Sequence, residues 1–325
     1  MMNCCLLRSN GSERSSHSKF QLIPLVCYFS SMISYKPKDW LTFVFHFHKA
    51  DTVRVLLPMI MIMCLYSGLI AYLELEVWGL SKDSNVKNLT LLHNLLGFVL
   101  SMLLVFRTNS AYDRWWEGRK LWGVLVNNSR NMAMKLNAYL SIDDTTTRRQ
   151  AVRLLTTYAH TLSKHLRGEQ VTFELDSKEH PELEIIKQHH HAPNQVAALI
   201  NKKVNRLYKE GKISGDQLLA LNPELMSFAD ICGACERIKN TPIPYSYSAF
   251  VKKFIFFYVM TLPFGFVFNL GYYVIPVVAF IFYVLASLEL IAEEIEDPFD
   301  GDANDLPTDK IADGITKHVN EILLG

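Results

Sequence analysis

Residues 89–130 constrain this chain more than any other stretch. They begin as LTLLHNLLGFVLSMLLVF, which carries no Asp, Glu, Lys or Arg. At roughly 1.5 Å per residue, that run crosses most of a ~30 Å hydrocarbon layer if helical. With no Pro to interrupt it, the chain passes into RTNSAYDRWWEGRKLWGVLVNNSR. This second part is too charged for lipid and must continue into water or protein. At about 100° per residue, Leu91, Leu95, Phe98, Val99, Met102 and Phe106 share one apolar face. Thr90, Asn94, Gly97 and Ser101 form a small, polar stripe beside it. Small and polar residues inside a span favour helix–helix contact. The apolar stripe has two readings: ordinary packing against lipid or another helix, and a hydrophobic constriction of the kind that gates ions by dewetting.

Three further features place the other spans. Residues 53–73 are free of charge after Arg54, with Pro58 in the opening turns, where it is tolerated. Residues 254–288 are uncharged for about 35 positions, too long for one span of about 20. Pro263, Gly265, Asn269, Gly271 and Pro276 interrupt them, so two spans with a tight turn near residues 269–272 are expected. Lys36, Lys38, Lys49 and Arg54 precede the first span, and Arg107, Arg114, Arg119 and Lys120 follow the second. The positive-inside rule then puts both termini in the cytoplasm. The expected fold is an all-α membrane protein of four transmembrane helices with a cytoplasmic helical domain.

That domain is read from apolar residues recurring at three and four across residues 111–239, with helix stops at Gly168 and Gly211 and a helix start at Asp143 and Asp144. Residues 173–193 form a polar connection containing His189, His190 and His191, read as a solvated loop over a metal site because consecutive His point apart on a helix. Cys232 and Cys235 have C-x-x-C spacing but no second pair and no βαβ setting, and are read as packing residues. Glu236 beside Arg237 suggests an ion pair at a crowded junction before the bend at Pro242 and Pro244. Five segments follow: 1–31, an extension read either as a weak targeting signal or as sequence upstream of a start at Met32; 32–110, an interfacial segment with His46 and His48 and spans one and two; 111–249, the helical domain; 250–291, spans three and four; and 292–325, an acidic tail.

A net charge of +1 fits neither disorder nor a nucleic-acid binder. No nucleophile motif, P-loop, dinucleotide fingerprint or H-E-x-x-H is present, so no enzyme is expected. A secondary transporter would carry ionisable groups at mid-membrane, whereas this chain offers only His93 and Asn94 toward one end of a span.

The runs FRTNSAYDRWWEGRKLWG, GACERIKNTPIPYSY and LPFGFV, in this order, resemble bacterial members of the bestrophin family, which are pentameric ion channels. The resemblance implies a homo-oligomer in the bacterial inner membrane, contacting lipid and passing monovalent ions. Anions such as chloride are expected, with a cation channel of the same fold as the alternative. It implies a pore neck on the second span at Leu91, Leu95 and Val99, with Phe98 the nearest aromatic to the family's Ile or Phe positions. It also implies a second, cytoplasmic restriction, assigned to Ile213. Residues 292–309 are similar to the calcium clasp of animal bestrophins, anchored by DPF, which implies Glu294, Asp297, Asp302 and Asp305 as Ca²⁺ ligands. Ala303 and Asn304 replace acidic residues of the animal pattern. Read without the resemblance, that segment is a solvated acidic tail packing beside Arg residues. No cofactor is required.

Overall fold

The computed structural model describes residues 52–79, 89–169, 191–302 and 304–325. The N-terminal extension, the interfacial His46 and His48, and the loop residues His189 and His190 lie outside the described residues. Those described contain eight α-helices and no strand. They are α1 (Thr52–Tyr72), α2 (Leu89–Tyr139), α3 (Thr145–Leu166), α4 (Ala192–Lys209), α5 (Gly215–Asn240), α6 (Tyr245–Leu270), α7 (Val274–Glu296) and α8 (Thr308–Leu324).

Among the described residues, three helical stretches are long and apolar enough to cross a membrane: Thr52–Val77, which holds α1, Thr90–Tyr139 of α2, and Tyr245–Glu296, the last made of α6 and α7. A π-helical turn, Leu73–Val77, closes α1. α6 and α7 form the expected pair, parted at Gly271, whose φ of 56° lets the chain reverse at once. One apolar core, including Met63, Ala71, Leu100, Leu104, Val259 and Phe282, joins these four helices.

A second core lies below. α3, α4, α5 and α8 pack with the second half of α2 around Trp122, Leu136, Leu162, Phe228 and Ile315. Their ends are cut where local chemistry directs. Asp144 caps α3 by accepting from the Thr147 N–H at 3.1 Å, and Lys212 at 2.7 Å pulls the Asp144 carboxyl down to about 2. Ser214 and Gln217 form a capping box on α5. Gly168 and Gly211 take positive φ just past α3 and α4. Cys232 and Cys235 are buried and unpaired, with burial pushing both thiols up to about 12. They are packing residues.

Two segment boundaries differ from expectation. α2 runs unbroken through residue 110, because nothing in RTNSAY breaks a helix, so the membrane and cytoplasmic parts share one rod. Residues 292–325 are also no tail: Phe299, Leu306, Ala312, Ile315, Val319 and Leu323 are buried in the cytoplasmic core. The acidic composition masked an apolar face that recurs every three or four residues along α8.

Candidate pore-lining face

α2 presents two unlike sides in its membrane half. Its inward side is His93, Gly97, Leu100, Leu104, Arg107 and Ala111, spaced by three and four and turned to α6 and α7. Thr90 donates to the Gly265 carbonyl at 3.1 Å. His93 Nε2 lies 2.9 Å from the Thr261 hydroxyl and packs against Tyr258 and Phe266. Tyr247 donates to the Leu103 carbonyl at 3.1 Å. At Gly97 a methyl group would stand 2.7 Å from the Tyr258 hydroxyl oxygen, so the close approach of α2 and α6 requires glycine there.

Its outward side is uncovered among the described residues. Leu91 is 77% exposed, Leu95 63%, Phe98 67% and Val99 41%. Measured round the helix at about 100° per residue, Leu91, Leu95, Phe98 and Met102 stand nearly opposite Leu100 and Leu104. Val99 lies toward one flank of this face, roughly 80° from Leu91. The four neck candidates thus share the free side of α2, with Phe98 as central as Leu95. The same azimuth continues downward through Phe106, Asn109, Asp113, Trp116 and Lys120, all exposed. The small, polar stripe splits: Thr90 and Gly97 meet α6, while Asn94 and Ser101 stay uncovered.

At the cytoplasmic edge, the rod is pinned by charge. Arg107, 1% exposed in its side chain, stands 2.7 Å from Glu296 and 3.5 Å from Glu289. Arg107 Nη1 and Glu289 Oε2 have no protein partner. About two turns of helix below, Arg114 donates to the Glu296 carbonyl at 2.9 Å, to the Ile238 carbonyl at 2.6 Å and to the Thr241 carbonyl. Glu296 in turn accepts from the Ile243 N–H at 2.6 Å. This network ties α2, the α5–α6 bend and the end of α7 together at one level. Sequence reasoning singled out neither Glu289 nor its link to Arg107. The signal was there: Arg107 continues the inward spacing of Leu100 and Leu104, so its charge had to meet an acid on a neighbouring helix.

Two assignments are corrected. Ile213 is 4% exposed and belongs to the cytoplasmic core, held inward by the turn between α4 and α5, so its side chain is not free to line a passage. Arg237 pairs with Glu117 at 2.8 Å and not with Glu236, since adjacent residues on a helix point about 100° apart. Glu236 meets His165 and His191 instead, at 2.6 and 2.7 Å.

Of the four clasp carboxylates, Glu294 lies in the last turn of α7 and the other three on the loop after it, each turned to a separate partner. Glu294 accepts from Asn304 at 2.6 Å, and Asp297 from the Phe299 N–H at 3.3 Å. Asp305 accepts the Gly301 and Asp302 N–H groups, both at 2.7 Å, while Asp302 is exposed on the same turn. Burial raises the Asp305 carboxyl to about 6, and its Oδ1 has no protein partner. Arg167 and Lys310 line the cleft beside it. Among the described residues, the Asp305 Oδ1 is the one clasp oxygen that is buried without a protein partner.

A family profile described as bacterial/fungal bestrophin protein matches residues 32–321. A voltage-dependent anion channel-forming protein of Nostoc sp. is 36% identical over 69% of this chain and 74% of its own length. A protein of the same description from Escherichia coli K12 is 30% identical over 68% of this chain and 73% of its own. Among solved structures, a bacterial bestrophin homologue from Klebsiella pneumoniae superposes with a TM-score of 0.73 at 26% identity, covering 81% of this chain and 97% of that one.

Proposed function

The chain belongs to the bacterial and fungal bestrophin family, and from that membership we propose that it is an anion channel whose neck is lined by the free face of α2. The carrying observation is the sidedness of α2. Among the described residues, its contacts in the membrane fall on the side of α6 and α7, leaving Leu91, Leu95, Phe98 and Met102 to other copies, to lipid or to ions. Copies arranged around an axis, five as the family resemblance implies, would turn that face inward.

Such a neck offers ions no ligand. Passage requires shedding part of the hydration shell, so weakly hydrated anions such as chloride, bromide and nitrate cross at lower cost than strongly hydrated ones. The anion assignment follows the description of the Nostoc and Escherichia relatives. Below the neck, Asn109, Asp113 and Lys120 continue the same face and would receive the ion back into water. The Arg107 network holds the rod at the height where apolar lining gives way to polar. The protein is a multi-pass membrane channel and not an enzyme.

Planar-bilayer recording under asymmetric KCl tests both parts. The reversal potential should follow the chloride equilibrium potential; one that follows potassium makes this a cation channel. Leu95→Ala should raise single-channel conductance several-fold by widening a dry constriction. Unchanged currents in that variant remove α2 from the neck.

A further inference from the structure

Three helix ends meet at a cluster apart from the free face of α2. His165 lies in the last turn of α3, His191 caps the start of α4, and Glu236 lies in the last turns of α5. The two imidazole Nε2 atoms stand 2.6 and 2.7 Å from the same Glu236 Oε1, with ring centroids 4.7 Å apart. All three ligand atoms lie within 4.8 Å of one another, the one such group of His, Cys, Asp or Glu among the described residues. Each side chain is between a quarter and about a third exposed, so an ion can reach them from water. The neighbouring cations are engaged elsewhere: Arg237 with Glu117, Arg167 with Asp309, and Lys239 with the Leu166 carbonyl. Cys232 and Cys235, on the same helix as Glu236, are buried as thiols and stay out of the group.

From this convergence we propose that His165, His191 and Glu236 form a binding site for a borderline-soft transition-metal dication, Zn²⁺ foremost. Two imidazoles and one carboxylate are a zinc donor set with one position left for water. The same nitrogens disfavour Ca²⁺ and Mg²⁺, which take oxygen ligands. In a tetrahedral site with metal–ligand distances of about 2.0–2.1 Å, the donor atoms stand about 3.3 Å apart. The two imidazole–Glu236 separations therefore widen by roughly 0.6 Å and the ion enters between the three groups. Without metal, both rings present an Nε2–H to one oxygen. With metal, each Nε2 lone pair goes to the ion and the ring proton moves to Nδ1. For His191 that displaces the long 3.3 Å bond which Nδ1 accepts from the Asn194 N–H. Metal binding is thus set against one capping interaction of α4, and it links α3, α4 and α5 close to the bend that leads into α6.

The test is zinc titration of the purified, chelator-treated full-length protein in detergent by calorimetry, with Co²⁺ as a spectroscopic stand-in. One ion per subunit is expected, with the visible absorption of four-coordinate Co²⁺ and no competition from millimolar Ca²⁺. His165→Gln keeps an N–H to offer Glu236 but removes the ligand. It and Glu236→Gln should each weaken binding by more than the roughly 10–100-fold that loss of an outer-shell partner costs. His189→Gln and His190→Gln should leave affinity unchanged. Zinc bound no more tightly by the native protein than by the His165→Gln, Glu236→Gln double variant overturns the proposal. So does an equal loss in the His189 or His190 variants, and so does octahedral Co²⁺ absorption. None of these readouts depends on channel activity.

Discussion

In its cytoplasmic half, α2 is enclosed by α3, α5 and α8, and residues such as Trp122, Leu125, Met132 and Leu136 bury their apolar surface inside the same protomer. In its membrane half, it touches α6 and α7 on one side and leaves Leu91, Leu95, Phe98, Met102 and Phe106 bare on the other. One helix therefore serves a finished core and an unfinished one. The finished half needs only its own chain, because water already drives its burial. The unfinished half gains nothing by hiding leucine from lipid, so its interior rests on close backbone approach and paired polar groups. The two halves should respond differently to the same kind of substitution.

The largest effect is expected at the junction. Arg107→Ala leaves Glu289, 4% exposed in its side chain, and Glu296, 12% exposed, without their shared cation. Removing one partner of a buried pair costs about 3–5 kcal/mol. Thermal unfolding of the detergent-solubilised assembly should show a matching loss, and Arg107→Lys should recover only part of it because one ammonium cannot reach both acids as a guanidinium does. A fully stable Arg107→Ala protein would mean that the two halves are not coupled through this network.

Glycine gives a finer contrast within the same helix. Gly97→Ala drives a methyl group against the Tyr258 hydroxyl and should cost about 1–3 kcal/mol, most of it recovered by adding Tyr258→Phe. Gly123, in the cytoplasmic half, has only the Arg119 guanidinium at 3.5 Å, and that side chain can move aside. Gly123→Ala should therefore stabilise by about 0.5–1 kcal/mol through helix propensity alone. Chemical denaturation of both variants checks the signs. Equal signs would remove the distinction between a half limited by approach and a half limited by propensity.

How much of this was legible in the sequence follows the same division. The spans, the α6–α7 reversal at Gly271, the stops at Gly168 and Gly211 and the Asp144 cap were readable, because each depends on residues close in sequence. The sidedness of α2 was readable from its apolar period, although which flank meets α6 needed Gly97 and Tyr258 in place. Contacts between distant segments were not. Arg107 with Glu289, Glu236 with His165 and His191, and Phe299 against Gly118 each join residues many turns apart. Ile213 failed for a related reason: an apolar residue in a polar turn reads equally as lining or as core, and only the packing of α4 on α5 decides it.

A contrast of another kind concerns Asp305, where the cytoplasmic core departs from its own rule of burying apolar groups. Its carboxyl is raised from the ordinary aspartate range to about 6 by burial, against the help of two backbone N–H groups. A carboxylate whose folded value lies above its unfolded value of about 3.9 binds its proton more tightly in the native state. Between about pH 4 and 6 the folded protein thus holds more protons than the unfolded chain, and stability falls as pH rises through that window. Above it the loss is complete, at most about 3 kcal/mol. Asp305→Asn retains an oxygen to accept from Gly301 and Asp302 but carries no charge. The variant should lose this slope, so its stability relative to the native protein should climb from pH 4 to 6 and then stay level. Comparing the two proteins cancels the titration of every other acid. A difference that stays flat across the window would mean that the Asp305 charge is already met within the fold, and that the loop from Asp297 to Leu306 tolerates an ion as readily as the membrane edge does at Arg107.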